Sequence, residues 1–525
     1  MKSFIRAVVT ALVLVPICAA SEASAQNATV TLGSQKQYIR GFGGMSHAAW
    51  AGDMTAAERA LAFGNGDGQL GFSVLRIPVT DGAPNSVNVA TAKAAIAAGA
   101  IVYATPWNAA GTMTSAQLAT YATHLNDFVS FMKGQGVDLY AISVQNEPDF
   151  GSQGGWMSWT AALCHDFVLN YGATITTKLI GCESFNYTKS YYDPILNDSA
   201  ALANMDILGT HLYGTALGAY PYALFDQKGA GKERWMTEHY TDSTTDANSW
   251  PNALGVATEL HHAMVDAQFS LYTWWFIVRS YGPIAANGTV SKRGWCMAHF
   301  SKFVRPGAYR VDATASPMSG VFLSAYKSGT DVVVVIVNTN ATAASLNVSI
   351  NGSNIASYDR FTTSASKSLT NDGKVTASNG SLAVSLDAQS VTTLRGTGDS
   401  TTGTGGSTGS GGSTGAGGST GAGGVRGSGG SRGAGGSMST GGSSGSGGVT
   451  GSAGSAGSGA STGTGGRGTG GTTGNGGAGT PGESMADGGC SCRLVVERSG
   501  STQVALWSVL GALALITRRR RRHDG

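Results

Sequence analysis

Eight mostly apolar runs, alternating with helix-like sequence, constrain this chain more than any other feature. They occupy residues 40–44, 73–79, 100–107, 139–147, 178–183, 205–213, 234–240 and 271–277. Several are continuously apolar, as strands covered on both faces are. Helix-like stretches at 91–98, 115–135, 159–177 and 253–267 lie between them. Eight strand–helix units in this order predict an α/β TIM barrel, (β/α)8, over residues 40–307.

After Pro306 the pattern changes. Short alternating strands are expected at 321–326, 332–338, 345–350, 355–361 and 381–386. Turns are expected at Asn351-Gly352, Asp372-Gly373 and Asn379-Gly380. This predicts an attached antiparallel β-sandwich over 308–396. The strand-like segment 28–32, within 26–39, is expected to pair with that sandwich.

Composition separates the rest. Residues 397–489 are dominated by Gly, Ser, Thr and Ala. Such a stretch buries too little apolar surface to offset the entropy of ordering it, so it reads as a flexible linker. Residues 1–25 read as a signal peptide: Lys2 and Arg6, an apolar core, then Ala23-Ser24-Ala25. Residues 490–525 hold Cys490 and Cys492, an apolar stretch at 504–516 and five arginines at 518–522. The apolar stretch is shorter than the ~20 residues a spanning helix prefers, and the arginines favour the cytoplasmic side. These ends predict an exported protein, secreted or held at the bacterial surface.

The formal net charge of +3 is smaller than the tail's five arginines alone. No basic stripe points to nucleic acid. The histidines show no metal-ligand spacing, and no cofactor motif occurs; Arg40-Gly41-Phe42-Gly43-Gly44 lacks the third spaced glycine of a nucleotide loop. No cofactor or metal is expected, and the protein is expected to be a monomer. His211 and His239 are candidate subsite residues, and His261 and His262 read as a solvated helix face. Cys164 and Cys182 are the nearest cysteine pair in the globular part. An exported route permits a disulfide there, and buried free thiols are the alternative.

Two segments each put a single carboxylate at the end of a strand-like stretch, followed at once by loop residues. Ser143-Val144-Gln145-Asn146-Glu147-Pro148 closes the fourth run, and Arg234-Trp235-Met236-Thr237-Glu238-His239-Tyr240 closes the seventh. A parallel barrel gathers its strand C-termini on one face, so Glu147 and Glu238 can converge. Two converging carboxylates suit glycosidic bond cleavage, one as proton donor and one as nucleophile. Asn146 is placed to bond a sugar hydroxyl. Arg76, on the second run, either holds Glu238 charged or forms a structural ion pair. Trp50, Trp107, Tyr213, Tyr240, Trp274, Trp275 and Tyr281 cluster at run ends, and Trp275 and Trp107 are the candidate sugar platforms.

Longer stretches carry a resemblance. Residues 40–50 (RGFGGMSHAAW), 139–149 (LYAISVQNEPD), 204–214 (NMDILGTHLYG), 235–243 (WMTEHYTDS), 279–283 (RSYGP) and 298–306 (AHFSKFVRP) resemble the glucuronoxylan-specific endo-xylanases of glycoside hydrolase family 30, subfamily 8. The resemblance covers residues 28–396. It implies a barrel with a β-sandwich and a retaining mechanism, with Glu147 as acid/base and Glu238 as nucleophile. It implies a xylan substrate bearing 4-O-methyl-glucuronic acid branches. Recognition of that branch falls on Arg279, Tyr281, Tyr240, Ser243 and Trp275. An arginine suits a carboxylate through two parallel charged hydrogen bonds; an ion pair between Arg279 and Asp242 is the alternative. The chain departs from the family pattern in a short loop at 108–114 and in Val278, where some members carry a second basic residue. The tail at 490–525 resembles the C-terminal sorting tails of myxobacterial surface proteins, which implies processing near the cysteines and contact with membrane or sorting machinery. A simple membrane tail is the alternative. Other function readings are a family member of different specificity (a branch-independent xylanase, a β-1,6-glucanase or a glucosylceramidase-like enzyme) and a non-catalytic surface carbohydrate-binding protein.

Overall fold

The computed structural model describes residues 25–241 and 244–398. The expected signal segment up to residue 24, Asp242 and Ser243, the linker from 399 and the tail at 490–525 lie outside the described residues. Among the described residues no helix is long and apolar enough to cross a membrane.

Eight parallel strands form a closed barrel. In chain order they are Gly41–Met45, Val74–Val79, Ile101–Pro106, Ala141–Ser143, Lys178–Ile180, Ile207–His211, Glu233–His239 and Leu271–Trp274. All eight expected runs are strands, but most of the regular strands are shorter than the runs. Glu147 lies four residues past the end of the fourth strand, and Trp275 lies just past the eighth. Helices such as Val89–Ala97, Leu118–Gly134, Ala161–Tyr171, Leu254–Val265 and Lys292–Ser301 cover the outside. Gly43 shows why the first strand is glycine-rich: a Cβ there would stand 1.8 Å from the Val74 carbonyl oxygen, so the barrel closes only around a bare backbone.

The barrel interior is layered. Val74, Tyr103, Ala141, Ile180, Ile207, Trp235 and Leu271 contribute one side chain from each of strands two to eight and fill the floor. Two residues on, the same inward parity puts Arg76 and Thr105 toward the mouth. Cys164 and Cys182 are joined as a disulfide linking helix Ala161–Tyr171 to the end of the fifth strand, and Cys296 is a buried free thiol.

A second, nine-stranded sheet packs against the barrel. Its order is Thr370–Thr376, Ser357–Thr363, Ser390–Gly396, Asp331–Asn338, Val321–Ser328, Tyr309–Ala313, Gln26–Tyr38, Ala344–Asn351 and Ser381–Leu386. The N-terminal strand lies inside this sheet, antiparallel to Tyr309–Ala313 and parallel to Ala344–Asn351. That parallel ladder departs from the all-antiparallel expectation. Asp331–Asn338 does not alternate: Val332, Val334 and Ile336 enter the sheet's own core, while Val333, Val335 and Val337 join the barrel core. A strand covered on both faces needs apolar residues at every position.

Two further expectations are corrected. Asp372-Gly373 is not a turn but a bulge within Thr370–Thr376, where the register with Ser357–Thr363 shifts around Gly373, at φ 88°. The other two expected turns form. Ser353 N–H bonds the Ile350 carbonyl at 3.3 Å around Asn351-Gly352, although the strands on either side of it do not pair. Asn379 and Gly380 both take positive φ in a tight turn closed by Ser378 and Ser381. His261 is buried rather than solvated, packed against Phe322 of the sheet, and only His262 keeps partial exposure.

Candidate active site

The mouth of the barrel concentrates charge in a buried space. Glu147, Glu183, Glu238, Arg76 and His211 are all almost completely enclosed. An oxygen of Glu147, one of Glu238 and a His211 nitrogen lie within 4.8 Å of one another. The two glutamates picked out in the sequence therefore meet.

Backbone constraints aim both. Asn146 N–H donates to the Pro106 carbonyl at 2.9 Å, and Glu147 N–H donates to the Glu183 carbonyl at 2.8 Å. Clamped between strands three and five, Glu147 takes φ +39°, in the left-handed region. Such a conformation costs a non-glycine residue free energy and persists where neighbours over-determine it. Glu238 lies inside the seventh strand, and the pairing with the sixth slips between Met236 and Glu238. That irregularity turns the carboxylate into the mouth.

Arg76 ties the site together. Its Nη1 donates to Glu238, its Nη2 to Asn146 Oδ1 at 2.7 Å and to Glu183 Oε2 at 3.0 Å, and its Nε to Thr105 Oγ1 at 3.1 Å. The guanidinium also lies 4.8 Å from the Trp107 ring centroid. His211 bridges the acids, with Nδ1 2.7 Å from Glu147 Oε1 and Nε2 3.2 Å from Glu183 Oε2. Tyr213 OH donates to Glu238 Oε1 at 2.9 Å.

The electrostatics separate the carboxyls. Burial pushes Glu147 up, the nearby Glu238 charge adds to this, and the result is about 7 despite opposing His211 and Arg76. Burial also disfavours a charged Glu183, but Arg76 and His211 outweigh it and pull this carboxyl down to about 2. Burial disfavours the His211 imidazolium, yet Glu238, Glu147 and Glu183 together raise it to about 9. Two carboxyls a few ångströms apart are thus driven to different protonation states.

Asn146 Nδ2 is buried and finds no partner among the described residues, because its carbonyl is taken by Arg76. Around the mouth stand Trp50, Trp107 and Trp275. Trp50 is 47% exposed and stacks on His47 at 3.9 Å, while Trp107 and Trp275 are buried walls. The most accessible ring is therefore Trp50, not either of the expected platforms. Past the eighth strand, Trp275 packs with Tyr240 and Tyr281, whose rings are 5.2 Å apart. Arg279 lies over the Phe276 ring at 4.4 Å, its Nε is buried without a hydrogen-bond partner, and among the described residues no carboxylate forms an ion pair with it. Ser243 lies outside the described residues. His239 bonds Glu259 at 2.7 Å and packs against Tyr213. In the loop at 108–114, residues Gly111–Thr112 pair with Met157–Ser158.

Sequence reasoning missed Glu183, Thr105 and His47. Glu183 had a signal: it is a third acid closing a strand-like run, as Glu147 and Glu238 are.

No family model matches the chain. It is 50% identical over 389 residues to glucuronoxylanase XynC of Bacillus subtilis strain 168, covering 71% of this chain and 92% of that protein. Among solved structures it resembles a GH30 endoxylanase of Clostridium papyrosolvens C71, at 37% identity and TM-score 0.66, across 71% of this chain and all of that one. It also resembles Xyn30A of Clostridium acetobutylicum, a family 30 subfamily 8 xylanase, at 31% identity and TM-score 0.65, over 70% of this chain and 99% of that one. With half of the aligned residues shared across nearly the whole of a glucuronoxylanase, the same barrel-and-sheet fold and two acids meeting at the strand ends, this chain belongs to the glucuronoxylanases of glycoside hydrolase family 30.

Proposed function

We propose that this protein is a retaining endo-β-1,4-xylanase that cuts 4-O-methyl-glucuronoxylan at positions set by the acidic branch. The observation that carries this reading is the buried pair Glu147 and Glu238, within 4.8 Å. Retaining enzymes hold their carboxyls ~5–5.5 Å apart, whereas inverting ones leave ~6.5–9.5 Å for a water.

In the first step Glu238 attacks the anomeric carbon and the glycosidic carbon–oxygen bond breaks. The departing oxygen takes the proton of Glu147, whose raised pKa of about 7 keeps that proton available. In the second step Glu147, now a carboxylate, takes a proton from water. The resulting hydroxyl bonds to the anomeric carbon, and Glu238 leaves as a carboxylate. Arg76 and Tyr213 hold Glu238 in place for attack. The unpartnered Asn146 Nδ2 is supplied with an acceptor by the hydroxyl beside the reacting carbon. Trp50 stacks on a backbone sugar.

Arg279 binds the branch carboxylate, with Tyr240, Tyr281, Ser243 and Trp275 around it. Its support is a guanidinium with a buried, unpartnered Nε beside aromatic side chains. Glucuronoxylan should be hydrolysed faster than unbranched xylan, and Arg279→Ala should remove the difference at a cost of about 2–5 kcal/mol in kcat/KM on the branched substrate. Mass analysis of products from a defined aldouronic oligosaccharide checks cleavage position. Equal rates on both xylans in the unaltered protein would sink the branch reading and leave the xylanase reading intact.

The domain division at 25, 39, 307, 396 and 489 belongs to the same proposal. Export rests on the Lys2–Ala25 signal pattern, and surface anchoring with sorting-tail processing rests on Cys490, Cys492 and the arginines at 518–522. The protein acts as a monomer. Fractionation of cells making the full chain tests anchoring: activity confined to the medium would argue against it.

A further inference from the structure

Glu183 takes part in neither chemical step, yet it is the most enclosed of the three carboxylates at the mouth. Its Oε2 accepts from Arg76 at 3.0 Å and faces His211 Nε2 at 3.2 Å, while its Oε1 accepts from Thr105 Oγ1 at 2.7 Å. Its two charged partners face the reacting groups: His211 reaches Glu147 and lies 4.0 Å from Glu238, and Arg76 reaches Glu238. Glu183 is therefore the carboxylate that holds both cations facing the acid and the nucleophile.

We infer that Glu183 is a positioning residue that keeps His211 an imidazolium and fixes the Arg76 fork, so that the mouth stays electrically balanced through both halves of the reaction. This rests on the double-displacement reading above. Before attack, Arg76 and His211 carry two positive charges, Glu183 and Glu238 two negative charges, and Glu147 its proton. In the glycosyl-enzyme, Glu238 is a neutral ester and Glu147 a carboxylate. The sum is zero in both states while Glu183 and His211 are charged together, and loss of either charge alone leaves one uncompensated. In a space this enclosed an uncompensated charge is costly.

The geometry of His211 supports the assignment. In the glycosyl-enzyme Glu147 and Glu183 are both carboxylates, each ring nitrogen faces one of their oxygens, and a neutral imidazole, with a single N–H, would set a lone pair against one of them. The other charged and titratable groups facing this cluster come from several strands. Arg76 comes from the second strand, and Glu147 and Glu238 follow the fourth and line the seventh. Tyr103, on the third, donates its hydroxyl proton to the Thr237 carbonyl at 3.0 Å and lies 2.9 Å from the Thr273 hydroxyl, and Tyr213, after the sixth, donates to Glu238. His211 raised to about 9 and Glu183 held down to about 2 agree with this assignment.

The test is an NMR titration of the isotope-labelled full chain, with the His211 ring signal assigned by its loss in His211→Asn. In the unaltered protein His211 should stay an imidazolium beyond pH 8. In Glu183→Gln its midpoint should fall by more than one pH unit. The alkaline limb of kcat on glucuronoxylan should move down with it, so that the rate above the limb falls about tenfold per unit moved, while KM stays within about twofold. Glu183→Asp should restore part of both shifts, because it returns the charge. A neutral His211 at pH 7 in the unaltered protein would overturn the inference, whether or not Glu183→Gln folds. So would a folded Glu183→Gln whose midpoint and limb do not move. The titration needs no substrate, so it stands or falls apart from the xylanase reading, which glucuronoxylan hydrolysis alone decides.

Discussion

The floor and the mouth of the barrel are built from the same strands and differ in almost everything else. Val74 and Arg76 are two residues apart on the second strand, and Tyr103 and Thr105 two apart on the third. Trp235 and Glu238 are three apart on the seventh, where the irregularity intervenes. The floor member of each pair packs in an apolar layer; the mouth member joins a charged network. Each end also has an arginine–glutamate pair. Arg40 with Glu233, below the floor, keeps 22% and 23% side-chain exposure, while Arg76 with Glu183 keeps none. Identical chemistry thus has different consequences. The solvated pair is a modest tether, and the enclosed one fixes ionisation states.

The largest expected effect lies at the mouth. Glu147→Gln should lower kcat by on the order of 10²–10⁴-fold on unactivated xylan, with melting behaviour close to that of the unaltered protein. Glu238→Gln should lower it by at least as much, with some loss of stability because it leaves a buried positive charge uncompensated. Steady-state kinetics alongside thermal unfolding checks this, and a large loss of stability in Glu147→Gln would erase the contrast with the floor. Trp235→Ala should do the opposite: a loss of about 3–5 kcal/mol in stability from the cavity left in the floor layer, with activity per folded molecule nearly kept. Arg76→Met should cost about 3–5 kcal/mol, because it strands buried Glu183 and Glu238 without their cation. Arg40→Met should cost under about 1 kcal/mol, and denaturant unfolding of the two variants side by side sharpens the comparison most directly. The smallest effect is one of pH. Glu147 works as an acid only while protonated, so kcat/KM should fall as pH rises through about 7. Its folded pKa is raised above the ordinary carboxylate value near 4.3. The associated stability is therefore full below that value and lost as pH climbs through about 7. A rate that stays level to pH 9 would contradict the assignment of Glu147 as the acid.

The same contrast explains what could be read from the sequence. Strands of the barrel were legible because a layer enclosed on both faces demands consecutive apolar residues, as in Val74–Val79 and Ile101–Pro106. Glu147 and Glu238 were legible because each follows such a run. Glu183 follows one too, but its regular strand is only Lys178–Ile180, and no local pattern tells a balancing charge from a reacting one. Three strands of the second sheet were not foreseen. Thr370–Thr376 is a mostly exposed edge broken by Gly373, and Ser390–Gly396 has polar threonines buried against the barrel and its neighbours. Tyr309–Ala313 is short and finds its place only between partners distant in the chain. The burial of His261 likewise depends on Phe322, sixty-one residues onward.

The placement of Gln26–Tyr38 between Tyr309–Ala313 and Ala344–Asn351 sets an order of events during synthesis. The earliest strand to leave the ribosome has no neighbour to bond with until Tyr309, far past its end at Tyr38, has followed it. Ladders between segments so far apart in the chain are slow to close. A version shortened before Ala344 would leave Gln26–Tyr38 with one edge bare, and bare strand edges invite association with other chains.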